Sequence, residues 1–428
     1  MAGEGSGTIK AAEDKLKALY EIHDYFFSPS KDEKRATLKQ AADEVHAELD
    51  KLGEGGNTKE RAKLAFVRGR ALDVFSEYSA EAEACLSRAV KLAPSDNIDA
   101  WNALGHCFWK KWDLPSALNC FKEALSQKPN KESLRHLSMV LRQLPGDGHE
   151  KLLTESLQKA KEAVALDLSD AHSWYVLGNA HVAIFFRVSH STRDLQRAIQ
   201  AYTTAESHGG ENNPDLYFNK ARVHQFLEEY QNACKAYSAA HVLDPQLPAE
   251  DALSSIRHSV ERTSELVERK GKLKLKRIRQ LTESLHLADV KLGEGIRGAG
   301  LSELQLGKNE GLAVALKVIM PVSDGGTAPE KLLVVDESET CTVLSLYHLD
   351  QRAIAKLYWK DVLIVVHPNM KHITLGKAPS GNEGNLDEGD VIGYKSITVN
   401  RPTDLLINGK AADASFAPAR LKLSNFDK

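Results

Sequence analysis

The sequence predicts a multidomain protein in which an all-α stack of helical pairs precedes a small all-β domain. Apolar residues recur at helical spacing through the first 282 residues. Beyond Leu287 the apolar pattern changes to the alternation that is typical of strands. A run of basic residues separates the two patterns. At 428 residues the chain is long enough for two or more domains, each with its own core.

The segment 101–129 contains the clearest helical pair. Its apolar and small residues fall at the positions of a tetratricopeptide (TPR) repeat: Trp101, Leu104, Gly105, Phe108, Ala117, Phe121, Ala124 and Pro129. Trp101 and Leu104 share one face of a first helix, because residues three and four apart are neighbours. Gly105 permits a second helix to approach closely, and Pro129 ends the unit because proline cannot continue a helix. This segment predicts one complete TPR unit.

Further repeats continue this pattern along the chain. Four recognisable units and one partial unit exceed the roughly three that a stable stack requires, and they begin near Lys59, Trp101, Leu134, Trp174 and Tyr217. The two amino-terminal helices lack the signature and predict a degenerate repeat or a cap. The predicted domains are residues 1–56 for this cap, 57–248 for the TPR repeats, 249–282 for a capping helix with a basic linker, and 283–428 for the β domain.

The carboxy-terminal part of the sequence predicts a small barrel. Five segments have the composition and spacing of strands, at residues 313–320, 342–346, 362–366, 392–399 and 405–407. Residues 301–306 alternate in the same way, and residues 351–358 predict one helix between the middle strands. Five or six short strands with one interposed helix favour an OB-fold, with a β-sandwich as the alternative.

Composition and cysteine spacing exclude several classes of protein. The net charge of −3 gives no general attraction to nucleic acid or to an anionic membrane. The five cysteines are dispersed without a C-x-x-C pair, which predicts buried thiols in a reducing compartment and neither a disulfide framework nor a metal site. The sequence contains neither a signal-peptide pattern nor an apolar run of membrane-spanning length. We therefore expect a cytoplasmic and nuclear protein without a cofactor.

One motif imitates an enzyme. Residues 293–298 match G-x-G-x-x-G, and Lys317 ends a V-A-L-K sequence that is similar to the V-A-I-K of protein kinases. However, no H-R-D-x-x-x-x-N catalytic loop and no D-F-G sequence follow. No helix opens after the glycines, as a dinucleotide site would require. Because no Ser/His/Asp or Cys/His arrangement stands out either, we predict that the protein is not an enzyme.

The TPR repeats predict a groove that binds an extended peptide. Such a stack presents the first helix of each pair on its concave side. The inward positions carry both charge signs, so they favour a peptide with both a basic and an acidic residue. Amide side chains at two positions can hold a peptide backbone, since an amide both donates and accepts. The predicted peptide-binding residues are Arg142, Asp215, Asn179, Asn219, Arg135 and Arg222.

A basic segment follows the repeats. Seven cations surround Gly271 with no acidic residue among them: Arg269, Lys270, Lys272, Lys274, Lys276, Arg277 and Arg279. They are consistent with a solvated linker or a helix end whose cations favour the helix dipole. They are equally consistent with an electrostatic contact to the phosphates of RNA. The predicted RNA-contacting residues are Lys270, Lys272, Lys274 and Lys276.

Several segments resemble the tetratricopeptide repeat protein 5 family, also called Strap. They are LSMVLRQL at 137–144, WYVLGNA at 174–180, NPDL at 213–216, ERKGK at 268–272 and LINGK at 406–410. That family joins a TPR array to a carboxy-terminal OB-fold, in the order predicted here. The resemblance is specific from about residue 60 to 285 and looser in the amino-terminal helices and in most of the barrel.

The resemblance implies a role in tubulin autoregulation. In that role the family recognises the Met-Arg-Glu start of nascent tubulin at the ribosome exit and triggers decay of the tubulin mRNA. The residues that match Arg142 and Asp215 then contact the nascent peptide, and the segment that matches 270–276 contacts the ribosome. We hypothesise that Asp215 pairs with the arginine of the peptide and Arg142 with its glutamate.

The sequence leaves two alternative functions open. The family resemblance also implies a stress-responsive nuclear cofactor that bridges acetyltransferase and transcription-regulator complexes. An OB-fold can also bind single-stranded nucleic acid, but the strands here offer few aromatic residues for stacking, chiefly Tyr347 and Tyr394. Nucleic acid is therefore expected to contact the basic segment, or else the barrel.

Overall fold

The computed structural model describes residues 4–28, 30–53, 56–95, 97–145, 148–283, 285, 294–322, 329–347, 357, 361–376 and 391–412. These residues form two compact units. The first unit holds the described residues up to Lys220 together with Ala239–Ala249. The second unit holds Ala221–Ser238 and the described residues from Glu250 onward as far as the β domain extends. The domain boundaries that we gave from the sequence remain predictions.

Helical pairs follow one another through the TPR region. Its helices are α1 Glu4–Tyr25, α2 Lys31–Leu52, α3 Thr58–Leu72, α4 Ala80–Leu92, α5 Ile98–Lys110, α6 Leu114–Gln127, α7 Lys131–Gln143, α8 His149–Leu166, α9 Ala171–Ile184, α10 Thr192–Ala205, α11 Pro214–Phe226 and α12 Tyr230–Leu243. Helices α3 to α10 pack as consecutive pairs, each helix against the next. Two π-helices, Phe185–Ser189 and Glu206–Gly210, extend α9 and α10. The predicted all-α TPR region is confirmed.

The glycines of the repeat signature allow the two helices of a pair to touch. A Cβ atom on Gly105 would lie 2.6 Å from Cε1 of Phe121, and one on Gly178 would lie 2.4 Å from Cε1 of Tyr202. Since real side chains do not approach that closely, only glycine leaves room for these rings. In the α7–α8 pair the same position is Ser138, and its hydroxyl is 3.0 Å from Oγ of Ser156. A polar contact there replaces the contact between glycine and an aromatic ring.

The second unit combines two helices with a β-sheet. Its helices are α13 Ala249–Glu268 and α14 Leu275–Thr282. Its strands are β1 Arg297–Gly298, β2 Gly307–Lys308, β3 Leu312–Pro321, β4 Glu330–Val335, β5 Cys341–Leu346, β6 Val362–Val366, β7 Asn369–Gly376, β8 Val391–Val399, β9 Leu405–Ile407 and β10 Lys410–Ala411. All five predicted strands are present as β3, β5, β6, β8 and β9. The other five strands were not predicted; β4 and β7 are the longer ones, and β1, β2 and β10 have two residues each.

Three sequence expectations need comment. The strand expected at residues 301–306 is wrong, because Leu301–Glu303 form a 3₁₀ helix. There the backbone N–H of Leu301 donates to Asp336, and the carboxylate of Glu303 accepts from the N–H of Gly300. The capping helix expected within residues 249–282 is α13, which ends at Glu268, directly before the basic segment. The helix predicted at 351–358 lies outside the described residues, apart from Leu357.

The strands form one curled sheet, as expected for a half-barrel of the OB type. Its order is β10-β9-β6-β3-β4-β5-β8-β7-β2, with β1 paired to β3. Most neighbours are antiparallel, while β5 and β8 are parallel. Buried side chains from seven strands, including Val314, Leu344 and Ile397, fill its interior. Because one continuous sheet encloses this core, the predicted OB-fold is confirmed and the β-sandwich alternative is not.

The second unit contains a buried polar cluster. Glu228 lies between α11 and α12, is 4% exposed and has a positive φ of 59°. Its carboxylate lies 3.3 Å from Nζ of Lys331 on β4, and it accepts hydrogen bonds from Ser345 at 3.0 Å and from Tyr347 at 3.1 Å. Lys331 also donates to the hydroxyl of Tyr230 at 2.5 Å. This cluster joins the turn after α11 to the sheet within the second unit.

The cluster keeps Lys331 charged. Burial alone would lower the pKa of its ammonium group, but Tyr230 and Glu228 raise that pKa well above its ordinary value. A buried carboxylate and a buried ammonium group therefore face each other. Such a pair tolerates the loss of both partners better than the loss of one, because a single remaining charge is buried without compensation.

We predict that removing one charge of this cluster destabilises the second unit. The variant Lys331→Met should lower its free energy of unfolding by about 3–5 kcal/mol. The double variant Lys331→Met with Glu228→Leu should recover part of that loss. The measurement is urea denaturation followed by hydrogen exchange of the strand amides.

The control is the exposed ion pair between Arg35 and Glu77. Removing Arg35 should cost about 1 kcal/mol or less, as is usual for a surface pair. Equal losses for Arg35→Met and Lys331→Met would contradict the role given to burial.

Candidate peptide-binding surface

The site lies on the first helices of three consecutive pairs. Arg142 is in the last turn of α7, and Tyr175 is in the first half of α9. Asp215 is in the first turn of α11, which Asn213 caps by accepting a hydrogen bond from the N–H of Leu216 at 3.2 Å. Pro214 occupies the first helical position, where its missing N–H is not needed. The sequence NPDL at 213–216 therefore determines where α11 begins and places Asp215 in its first turn.

Two of the predicted amides form a network with two tyrosines. Nδ2 of Asn219 donates to the hydroxyl of Tyr175 and to Oδ1 of Asn179, both at 3.1 Å. The hydroxyl of Tyr202 donates to the same Oδ1 atom at 2.7 Å. Oδ1 of Asn219 has no hydrogen-bond partner within the described ranges. The network links α9 to α11 and leaves one amide oxygen for a ligand.

Two of the predicted binding residues, Arg142 and Asp215, act electrostatically on the hydroxyl of Tyr175. Its pKa is raised, mainly by burial and also by the negative charge of Asp215. The positive charge of Arg142 acts in the opposite direction on the same hydroxyl. Arg142 and Asp215 are therefore both close enough to influence one group, although they lie on different helices. The structure thus places an acid and a base within electrostatic range of one hydroxyl.

The polar crossing of α7 and α8 positions Arg142. Its guanidinium is largely buried, since the residue is 6% exposed. Nη1 lies 3.1 Å from Oγ of Ser138 and 3.5 Å from Oγ of Ser156. The two serines occupy the place where other pairs have a glycine and an aromatic ring. Ser138 and Ser156, which depart from the repeat pattern, therefore hold the guanidinium of Arg142 in place.

Asp215 borders a pocket of about 340 Å³. The lining comes from four separate segments of the first unit: His23, Asp24, Tyr25, Phe27, Lys34, Ala171, His172, Gly209, Gly210, Asn212, Asn213, Pro214, Asp215 and Leu216. Although Asp215 reaches solvent, the walls desolvate its carboxylate and raise its pKa. Asp244 raises this pKa further, whereas Lys34 lowers it. The pocket thus holds a carboxylate whose charge is incompletely compensated.

The other two predicted arginines have different surroundings. Arg135 donates to Asp170 at 2.5 Å, and Asp170 in turn caps α9. Burial would raise the pKa of Asp170, but the hydroxyl of Ser173 and the charge of Arg135 lower it to about 2. Arg222 belongs to the second unit, where it opposes the burial that raises the pKa of Tyr237. Arg135 is therefore engaged in fixing the start of α9.

The basic segment forms a turn between α13 and α14. Lys270, Gly271 and Lys272 all have positive φ values, of 47°, 65° and 61°. A Cβ atom on Gly271 would lie 2.8 Å from Cγ2 of Ile319, so no larger residue fits. Nζ of Lys270 donates to the carbonyl of Glu339 at 2.8 Å. The turn is therefore held to the β domain through Lys270 and at Gly271 itself.

The other three predicted lysines do not share the contact that Lys270 makes with Glu339. Lys272, Lys274 and Lys276 are exposed. Lys272 lies 3.6 Å from Glu265, whereas Lys274 and Lys276 have no acidic partner within 4.0 Å in the part of the chain described. Two of the four predicted contacts are thus exposed cations with no ion pair among those residues.

Sequence reasoning did not assign a site role to some residues that the structure places here. Tyr175 lies on the first helix of its pair, which the repeats predict to face the concave side. The sequence could therefore have indicated this residue. Tyr25 and Phe27 had no such signal, because their helical pair lacks the repeat signature. They line the same pocket as Asp215 only because the tertiary fold brings them there.

Among the described residues, no group of three or more His, Cys, Asp or Glu residues could hold a metal ion. None of the described helices combines the length and hydrophobicity that crossing a membrane requires.

We predict that Asp215 destabilises the unliganded protein at neutral pH. A carboxyl whose pKa is higher in the folded state than its ordinary 3.8 makes ionisation unfavourable for folding at higher pH. The penalty is absent below 3.8 and develops as the pH rises through the folded-state pKa. We therefore expect Asp215→Asn to raise the Tm at pH 7, and this gain to vanish as the pH falls below 3.8.

The matched control is Asp99→Asn. Asp99 is exposed in the first turn of α5, the same helix position as Asp215 in α11. The control should not raise the Tm at pH 7, because an acid in the first turn stabilises a helix. A gain of the same size in both variants would contradict the explanation from the pocket.

Comparison with known proteins agrees with this architecture. Residues 296–419 match the family model for the tetratricopeptide repeat protein 5 OB fold domain, and residues 214–246 match a tetratricopeptide repeat model. Tetratricopeptide repeat protein 5 of Mus musculus is 32% identical over 432 aligned residues, which cover 96% of this chain and 95% of the mouse protein. The Homo sapiens protein is 31% identical, with 95% and 94% covered.

Solved structures with similar helical repeats include the APC/C hetero-tetramer Cut9-Hcn1. The likeness has a TM-score of 0.43 at 17% identity and covers 56% of this chain and 41% of that chain. The two vertebrate relatives, by contrast, extend over nearly the whole length of this chain. On that full-length similarity, the chain belongs to the tetratricopeptide repeat protein 5 family.

Proposed function

We propose that the protein is an adaptor that recognises the Met-Arg-Glu start of nascent tubulin at the ribosome and triggers decay of the tubulin mRNA. The observation that supports this proposal is that the opposite charges of Arg142 and Asp215 both act on the buried hydroxyl of Tyr175. A short peptide with adjacent basic and acidic residues is complementary to such a pair. Membership of the family supports the proposal.

The groove offers a partner for each part of this peptide. The arginine of the peptide pairs with the carboxylate of Asp215, and the glutamate pairs with the guanidinium of Arg142. Each charge-assisted pair contributes about 1.5–3 kcal/mol when it is well formed. Oδ1 of Asn219 accepts a backbone N–H of the peptide. The network of Asn219 with Tyr175 and Asn179 holds this oxygen in place before the peptide arrives.

The basic segment supplies the contact with the ribosome. The exposed Lys272, Lys274 and Lys276 can neutralise phosphates of ribosomal RNA. Because the whole chain carries a charge of −3, this attraction has to be local. In this function the protein works in the cytoplasm, where tubulin is translated. The alternative of a nuclear cofactor for acetyltransferase complexes follows from the resemblance alone.

Buried tyrosines argue against nucleic-acid binding by the barrel. Tyr347 and Tyr394 are 3% and 4% exposed, so neither ring can stack on a base without unfolding its surroundings. The hydroxyl of Tyr347 donates to the carbonyl of Phe226, which further fixes the ring. We therefore assign any contact with RNA to the basic segment.

We predict that a Met-Arg-Glu peptide loses affinity when either charged side chain of the groove is removed. Arg142→Ala and Asp215→Ala should each weaken binding by about 10- to 100-fold, which corresponds to one charge-assisted pair. The measurement is fluorescence anisotropy of a labelled tubulin amino-terminal peptide. Circular dichroism checks that each variant keeps its helical content.

Charge exchange gives the sharper control. A peptide in which glutamate is replaced by lysine should bind poorly to the wild-type protein and better to Arg142→Glu. The exposed residues Arg61 and Asp99 serve as matched positions, and their alanine variants should bind like the wild type. Unchanged binding by both Arg142→Ala and Asp215→Ala would refute the assigned site.

We predict that the basic segment determines how ribosome binding responds to salt. Changing Lys272, Lys274 and Lys276 to glutamine should weaken co-sedimentation with ribosomes. The slope of log affinity against log salt should also fall by about 1 for each lysine that contacts a phosphate. A control variant carries glutamine at the exposed Lys10, Lys17 and Lys39, which gives the same change in net charge. Equal effects in the two variants would contradict the proposed ribosome contact and would indicate that the basic segment is only a linker.

A further inference from the structure

We propose that the turn between α1 and α2 completes a subsite that selects arginine over lysine. In this subsite the rings of Tyr25 and Phe27 stack on the guanidinium that Asp215 pairs with. The inference rests on the proposed function, because it concerns the basic residue of the same peptide. It assigns a specificity role to the amino-terminal helical pair, which has no recognisable TPR signature.

The composition of the pocket indicates the chemistry of its occupant. Two acids, Asp24 and Asp215, border it together with the rings of Tyr25 and Phe27. Aromatic faces attract cations, and a carboxylate beside them pairs with the same cation. A planar guanidinium can stack on a ring and form two parallel hydrogen bonds at once, whereas an ammonium group cannot. The pocket is therefore better matched to arginine than to lysine.

The chain already places a cation of its own at one of these rings. Nζ of Lys34 lies 4.8 Å from the centre of the Phe27 ring. The same ammonium group lowers the pKa of Asp215, so it acts on the carboxylate as well. Lys34 shows that a cation can lie over the Phe27 ring while its charge also acts on Asp215. The arginine of a peptide has to compete with this lysine for both.

The turn is fixed before any ligand binds. Ser28 is 2% exposed, and its carbonyl accepts a hydrogen bond of 2.5 Å from the side-chain amide of Gln246, which is 218 positions away in the sequence. The hydroxyl of Ser28 donates to Glu33, and Ser30 caps α2. Preorganised contacts of this kind reduce the entropy lost on binding. The backbone next to Tyr25 and Phe27 is thus tied to the segment that follows α12.

Variants of Tyr25 test the ring directly. This side chain is 60% exposed, so its replacement should not prevent folding. We expect Tyr25→Leu to weaken binding of the Met-Arg-Glu peptide about fivefold, the size of one cation–π contact, and to leave a Met-Lys-Glu peptide nearly unaffected. Tyr25→Phe keeps the ring and should bind like the wild type. Phe27→Leu should reduce the preference for arginine in the same way.

Two further variants complete the experiment. Lys34→Gln should strengthen binding of the arginine peptide, because it removes the internal competitor. Trp112→Leu is the control, since Trp112 is 62% exposed and does not line the pocket. Thermal melting confirms that each variant is folded at the temperature of the assay.

The outcomes separate the two proposals. If the wild-type protein binds neither peptide, the proposed function fails. If it binds the arginine peptide, but the ratio of the two affinities is the same in wild type, Tyr25→Leu and Phe27→Leu, the inference about the subsite is overturned. A lower ratio in both leucine variants, restored in Tyr25→Phe, supports the subsite.

Discussion

The close contact between the two helices of each pair is the constraint on which the groove depends. At Gly178 it admits the ring of Tyr202, and the hydroxyl of that ring then reaches Asn179. A side chain at position 178 would displace the ring and with it one partner of the amide network. The packing signature of the repeat therefore also positions the polar groups of the groove. At Ser138 the same crossing is polar, and it supports Arg142 instead of an aromatic ring.

Asp215 lies where its charge does not favour folding. Desolvation raises the pKa of Asp215, and Asp244 adds a like charge, so ionised Asp215 is held at a cost in stability. Arg142 is 6% exposed and is hydrogen-bonded to Ser138 and Ser156. A ligand with a positive charge beside Asp215 would relieve the penalty at that carboxylate. Binding of such a ligand should then stabilise the first unit beyond the contacts that it adds.

How much the sequence could predict depended on the distance over which each feature is determined. Local periodicity was sufficient for the helical pairs, and the repeat frame placed Arg142 and Asp215 on inward positions. Strand β7 was predictable only in part, since Ile373 and Leu375 alternate with less buried residues, whereas Met370 is out of phase with them. The pocket wall at Tyr25 was not, because Gln246 holds its turn from the other end of the unit. The alternation at 301–306 misled, because Asp336, 35 positions away in the sequence, accepts the N–H of Leu301, and Glu303 accepts that of Gly300.

The turn at Gly271 distinguishes a built surface from a solvated linker. A linker has no reason to hold two lysines at positive φ, which is unfavourable for residues with a side chain. Here Gly271 packs under Ile319, and Lys270 is bonded to Glu339, so the sheet maintains the strain. The consequence is a fixed direction for α14, whose apolar residues Ile278 and Leu281 are buried while Lys276 stays exposed. The basic segment therefore has a defined conformation in the second unit, and its contact with RNA stays a prediction.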